Sequence, residues 1–213
     1  MKLICFDLDN TLVKSDKLHI KAFQKAFEDY KLKKVDDKAI KDLLSITANK
    51  IIKNLYPSLS DKKVMEILKV RNKYSVKYSK IKGLIKVFSD SIDVIKKLKK
   101  KYKVCLLSNS SHKEIEGILK GANIDTKLFD MIIGADEVKC GKPCPDEIFK
   151  AERLMHHKVD YMVGDSPTDI LTGKKAGCKT IAVLTGDFSK ETLEKEKPDF
   201  IIKNLKELPD LID

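Results

Sequence analysis

The chain has 213 residues with 42% hydrophobic and 35% charged side chains, which is enough apolar material to bury a core and excludes wholesale disorder. Its net charge is +11, but the cations are almost all lysine, spread over every segment. With Arg71 and Arg153 as the only arginines and no Trp, the forks and stacking rings of a nucleic-acid binder are missing, so neither nucleic acid nor membrane is expected as a partner. Five cysteines without a CxxC pair argue against a disulfide framework and for a reducing compartment. No apolar run is long enough to span a bilayer, and the acidic N-terminal stretch is unlike a signal peptide. A cytoplasmic protein is expected, and nothing in the sequence sets an oligomeric state.

In chain order, Leu3–Phe6 is a short apolar run that ends in carboxylates and predicts a buried strand. Leu18, Ala22, Ala26, Phe27 and Tyr30 then recur at helical spacing, with Ser15 as the N-cap. A second helix is predicted from about Asp36 to Leu55, stopped at Tyr56-Pro57. A third, capped by Ser60, runs to about Tyr78. Beyond Gly83 the rhythm changes to strand and helix in alternation: a helix through Ile92–Leu98, strand Val104–Leu107, a helix near Lys113–Leu119, strand Met131–Ile133, a helix over Asp146–Met155, strand Tyr161–Val163, a helix near Thr168–Ala176, strand Thr180–Val183 and a last strand at Phe200–Ile202. Such alternation predicts an α/β fold, a Rossmann-like parallel sheet with helices on both faces. The all-helical block is an insert between the first strand and the rest. The expected division is a core of residues 1–14 and 83–213 and a helical cap of residues 15–82.

In parallel sheets, sites form at the carboxyl ends of the strands, and four of these ends carry polar groups. Asp7 and Asp9 follow the first strand, Ser108 and Asn109 the second, Lys142 the third, Asp165 and Asp169 the fourth. Residues two apart in a strand share a face, so Asp7 and Asp9 can face one pocket. Several carboxylates in one site need a cation, or some must stay protonated. Oxygen ligands select a hard ion, and Mg²⁺ is the usual partner of phosphate groups.

The run DLDNT at Asp7–Thr11 resembles the first motif of the haloacid dehalogenase superfamily. Ser108, Lys142 in GKPCPDEIF, and GDSPTD at Gly164–Asp169 resemble its second, third and fourth. Single short motifs are weak, but four in order at strand ends are strong. The helical block fits the α-helical cap of the superfamily's subfamily I. The resemblance implies Asp7 as a nucleophile that becomes an aspartyl-phosphate, and Asp9 as the acid and base at the leaving oxygen. It implies Mg²⁺ on Asp7, the backbone carbonyl of Asp9, and Asp165, with Asp169 supporting. Ser108, Asn109 and Lys142 would hold the phosphoryl group. A carboxylate at Asp9 is what the superfamily's dehalogenases lack, which favours phosphoryl transfer. The expected substrate is a small phosphorylated metabolite. The flanks DLDNTLVKS and LTGDFSKETLEKEKPDFIIKNLKEL are similar to phosphoglycolate phosphatases. A β-phosphoglucomutase-like sugar-phosphate mutase is the alternative, although LLSITANKII lacks the Gly and Arg expected for it.

Other residues are read conservatively. Cys140 and Cys144 are taken as unpaired loop cysteines, Cys5 and Cys105 as small core residues. His19 faces the site or serves as a plain helical residue with equal weight. The chain crossings near Val13–Lys17 and Ile81–Leu84 are the expected hinges of a mobile cap.

Overall fold

The computed structural model describes residues Lys2 to Ile212. Its elements in chain order are β1 (Lys2–Asp7), β2 (Val13–Lys14), α1 (Asp16–Asp29), α2 (Asp37–Lys41), α3 (Ala48–Leu55), α4 (Asp61–Tyr78), β3 (Lys86–Val87), α5 (Ser91–Leu98), β4 (Tyr102–Ser108), α6 (His112–Gly121), β5 (Met131–Gly134), α7 (Asp146–Met155), β6 (Val159–Gly164), α8 (Pro167–Ala176), β7 (Lys179–Val183), α9 (Lys190–Lys195), β8 (Phe200–Ile202) and α10 (Leu208–Ile212). Six strands form one sheet in the order β5-β4-β1-β6-β7-β8, and every neighbouring pair is parallel. This is the expected Rossmann-like α/β arrangement.

Strand β1 lies inside the sheet, between β4 and β6, because its run from Leu3 to Phe6 is wholly apolar. Leu3, Ile4, Cys5 and Phe6 are all fully buried, and each large apolar side chain so buried is worth about 1.5–3 kcal/mol. Alternation splits the run between two faces. Ile4 and Phe6 pack with side chains from α5, α6 and α10, while Leu3 and Cys5 pack with Ile148 and Ala151 of α7. Register pairs Asp7 with Leu107 of β4 and Phe6 with Val163 of β6, so the ends of three adjacent strands meet at one edge.

Helices α1 to α4 enclose a cluster of their own around Phe23, Phe27, Ile40, Ile51, Ile52 and Ile67. The chain leaves the sheet along β2 and returns along β3, and these two segments pair antiparallel, Val13 with Val87 and Lys14 with Lys86. The two crossings expected as hinges, near Val13–Lys17 and Ile81–Leu84, thus lie at or beside one short ribbon. At the end of α4, Ser79 lies against α6 so closely that a Cβ on Gly121 would meet the Ser79 carbonyl oxygen at 2.0 Å.

Three local expectations change. The helix expected over Asp36–Leu55 is two helices, because residues 42–47 turn away to reach the sheet edge: the Ser45 carbonyl accepts hydrogen bonds from Asn109 Nδ2 at 2.9 Å and Thr168 Oγ1 at 3.1 Å. Ser15 stands at the N-cap of α1, but its hydroxyl is not used as a cap; it donates to Asp9 instead. Cys140 and Cys144 are joined in a disulfide. The turn closed by Cys144 N–H onto the Gly141 carbonyl brings their Cα atoms to 5.7 Å, within bridging range, which four residues of linear spacing did not suggest.

Candidate active site

All seven residues singled out from the sequence, Asp7, Asp9, Ser108, Asn109, Lys142, Asp165 and Asp169, line one cavity of about 510 Å³ between the sheet edge and the helical layer. The approach after β1 depends on Asn10, which adopts a left-handed φ of 61° that asparagine tolerates better than most residues. The turn lets Leu12 and Val13 N–H reach the Leu8 carbonyl and carries Asp9 back toward Asp7. On the opposite side, glycine makes room for the acids. A Cβ on Gly186 would fall 1.8 Å from Asp165 Oδ2, and one on Gly164 would strike the Asp169 carboxyl.

Lys142 is the hub of the polar floor. Its Nζ donates to Asp7 Oδ1 at 2.5 Å and to Asp169 Oδ1 at 2.7 Å, with all three side chains buried. Burial lowers the proton affinity of the ammonium, but Asp169 and Asp7 outweigh it and hold Lys142 well above the usual lysine range. Asp169 spends its second oxygen on Ser166, accepting from N–H at 3.1 Å and from Oγ at 2.5 Å. Asp165 Oδ1 accepts from Thr11 Oγ1 at 3.3 Å.

Charge in the cavity does not balance. Burial, together with Asp169 and Asp9, pushes the Asp7 carboxyl up to about 8 against the pull of Lys142. Asp165 is raised well above the carboxylate range by burial and by Asp7 and Asp169. Oxygens of Asp7, Asp165 and Asp169 lie within 4.8 Å of one another, so the three could hold a metal ion. Buried oxygen donors crowded together with one lysine for compensation fit a hard divalent cation. With both oxygens of Asp169 already accepting from Lys142 and Ser166, Asp7 and Asp165 are the better-placed ligands.

Asp9 has a different environment. Its Oδ1 accepts from Ser15 Oγ and from His19 Nε2, the latter at 2.8 Å, and Oδ2 faces Ser108 Oγ at 3.4 Å. Burial pushes this carboxyl up, yet His19 and Ser15 outweigh it and hold Asp9 below the usual carboxylate range. At the other ring nitrogen, Arg71 Nη2 sits 2.7 Å from His19 Nδ1.

Ser108 Oγ also accepts from the Ser110 N–H at 3.1 Å. The Asn109 side chain is turned to clamp loops, with Nδ2 on the carbonyls of Ser45 and Lys142. His19, evenly balanced in the sequence, faces the site. In the stretch leading into α3, Ser45 lines the cavity while Asn49 and Lys50 are exposed. Across the mouth, Lys41 Nζ lies 2.7 Å from Asp187 Oδ1 and 3.8 Å from Asp16 Oδ2. Sequence reasoning missed Ser15, Asp16 and Arg71 as cavity neighbours. For Arg71 a signal existed: it is one of two arginines among 43 cationic residues.

A parallel α/β sheet thus gathers paired aspartates, a buried lysine and further acids at its carboxyl edge, where sites of such sheets form. The chain belongs to the haloacid dehalogenase-like hydrolase family, which matches residues 4–183. A pyrophosphatase PpaX from Bacillus cereus is 28% identical over 208 residues, covering 96% of this chain and 93% of the relative. Among solved structures, a haloacid dehalogenase-like family hydrolase from Streptococcus pneumoniae superposes with a TM-score of 0.83 at 21% identity, over 100% of this chain and 99% of that one. A predicted phosphoglycolate phosphatase from Haemophilus somnus does so with a TM-score of 0.81 at 20% identity, covering 100% and 98%. Among the described residues no helix is long and apolar enough to cross a membrane.

Proposed function

We propose that this chain is a Mg²⁺-dependent phosphatase that hydrolyses a small phosphomonoester through an aspartyl-phosphate on Asp7. The observation that carries the reading is the position of Lys142, shared between Asp7 at 2.5 Å and Asp169 at 2.7 Å in a cavity otherwise crowded with carboxylates. Residues 1–14 with 83–213 form the catalytic core, and residues 15–82 form a cap over the cavity.

Asp7 and Asp165, with the backbone carbonyl of Asp9, would hold the Mg²⁺. Bound there, the ion supplies positive charge to the phosphoryl oxygens and to the crowded acids. Ser108, the backbone N–H of Asn109 and Lys142 hold the phosphoryl group against Asp7. Phosphoryl transfer needs positioning and charge neutralisation above all. The Asp7 carboxylate forms a bond to phosphorus as the bond to the leaving oxygen breaks. Asp9 gives that oxygen a proton, so the alcohol departs neutral. An arriving phosphate dianion raises the proton affinity of Asp9, which the cavity otherwise keeps ionised. Asp9 then takes a proton from water, the water oxygen bonds to phosphorus, and the phosphorus–Asp7 bond breaks to release phosphate.

Release of p-nitrophenol from p-nitrophenyl phosphate with Mg²⁺, stopped by EDTA, tests the reaction. A panel containing phosphoglycolate, inorganic pyrophosphate, sugar phosphates and nucleotides then ranks substrates, and the Bacillus relative's name makes pyrophosphate a required member. Absence of phosphate release from every member across pH and divalent ions would refute the proposal.

A further inference from the structure

A row of buried hydrogen bonds runs from Asp9 out through the cap and back into the core. Asp9 Oδ1 accepts from His19 Nε2 at 2.8 Å, and His19 Nδ1 lies 2.7 Å from Arg71 Nη2. The other amino group of Arg71, Nη1, donates to Glu114 Oε1. Glu114 Oε2 in turn accepts from Ser111 N–H at 3.1 Å and Ser111 Oγ at 2.8 Å at the start of α6. His19 and Arg71 belong to α1 and α4 of the cap, whereas Asp9 and Glu114 belong to the core. His19, Arg71 and Glu114 are 4%, 3% and 1% exposed, so water does not substitute for any link.

The direction of each bond follows from chemistry. A guanidinium only donates. The His19 Nδ1 atom beside it must therefore present a lone pair, which puts the single ring proton on Nε2. That proton points at Asp9. With Ser15 and His19 both donating to Oδ1, the oxygen of Asp9 left for a transferable proton is Oδ2, on the Ser108 side. Arg71 can do this only while its own position is fixed, and the partner that fixes it from outside the cap is Glu114. Glu114 also completes a capping box at the start of α6 by accepting from the Ser111 N–H; that role uses Oε2 alone and requires neither full burial nor an arginine 43 residues away on Oε1.

We propose that Glu114 is a positioning residue for the leaving-group proton, acting through Arg71 to hold His19 in the tautomer that orients Asp9. The alignment is complete only with the cap seated, since two of its members come from each part of the chain. The kinetic consequence rests on the phosphatase reading, whereas the tautomer does not.

The test has two readouts. In the ¹⁵N NMR spectrum of protein labelled at histidine, His19 should show an unprotonated Nδ1 and a protonated Nε2, and Glu114→Gln should shift that population toward the other tautomer. In kinetics, kcat/KM is compared for an alkyl phosphate, glycerol 2-phosphate, and for p-nitrophenyl phosphate, whose leaving group departs without a proton. General acids contribute about 10²–10⁴-fold, so misplacing one through Glu114→Gln should lower the alkyl phosphate value by roughly 10-fold or more and the aryl value by less than about 3-fold. In a His19→Ala background the same change should have no further selective effect. Ser111→Ala, which removes the hydroxyl that donates to Glu114 Oε2 but leaves the Arg71 pair on Oε1, should keep the wild-type ratio. A proton on Nδ1 in the wild type would overturn the proposal, as would equal losses on both substrates. The wild-type spectrum decides even where Glu114→Gln does not fold. Failure of the phosphatase reading would look different: neither substrate turned over by the wild type, with the tautomer intact.

Discussion

Glu147 offers a stability test that is independent of turnover. It sits in the first turn of α7, fully buried, with no hydrogen-bond partner for either carboxylate oxygen among the described residues. Burial pushes its carboxyl up to about 7; Lys142 opposes this, while Asp169 and Glu137 add to it. An acid raised in the fold binds its proton more tightly folded than unfolded. Its contribution to stability is therefore fully present below about pH 4.5, the unfolded value, and is lost as pH rises through about 7. At about 1.4 kcal/mol per pH unit, the loss on passing that window is about 3 kcal/mol. Glu147→Gln keeps the shape and removes the titration. Urea unfolding of both proteins at pH 5 and pH 8 measures the effect. The variant should gain about 2–3 kcal/mol on the wild type between the two pH values. A difference between the two proteins that is the same at both would refute the reasoning, since it would mean that Glu147 is ionised in the fold as readily as in the open chain. Unfolding is the readout here rather than turnover, because Glu147 lies outside the cavity lining but within the field of Lys142.

Two further substitutions probe the site and the packing. Asp7→Asn should fold normally and lower kcat by at least about 10⁴-fold, measured with p-nitrophenyl phosphate; a smaller loss would remove Asp7 as the nucleophile. Gly121→Ala should cost about 2 kcal/mol or more in thermal unfolding, because its Cβ would meet a backbone oxygen of Ser79 at 2.0 Å. Gly117→Ala should cost visibly less, since its nearest neighbour is the Ser79 hydroxyl at 3.0 Å.

The sheet and its polar edge were legible because both obey short-range rules. Leu3–Phe6 reads as a buried strand from four consecutive apolar residues, and the motif residues other than Lys142, which lies out in the loop after β5, stand within a few positions of such a run. Parallel topology then does the assembly, as Asp7, Ser108 and Asp165 arrive together once β4, β1 and β6 are neighbours. What escaped was whatever depends on distant pairing. Residues 42–47 carry a pattern fit for a helix, and only the Asn109 and Thr168 side chains, more than 60 residues away, give the Ser45 carbonyl a reason to break it. Ser15 has the right type and place for a helix cap, yet a buried carboxylate is a stronger acceptor for its hydroxyl than a backbone N–H is a donor. Arg71 and Glu114 sit on different helices whose contact no local pattern encodes. Cys140 and Cys144 pair because of a turn around the Lys142 loop, not because of their spacing.

The short ribbon of β2 and β3 has a consequence for how such a chain can change. With Val13 held beside Val87, everything between them is a closed side loop that leaves and rejoins the sheet at one point. The cost of closing a loop grows only logarithmically with its length, so doubling the segment would add about 0.6 kcal/mol. Helices can be added, removed or exchanged there while β1 keeps its place between β4 and β6. Selection acting on what the cavity admits can therefore reshape the parts of this loop that do not touch the core, while Ser15, His19, Ser45 and Arg71 stay tied to the chemistry at its floor.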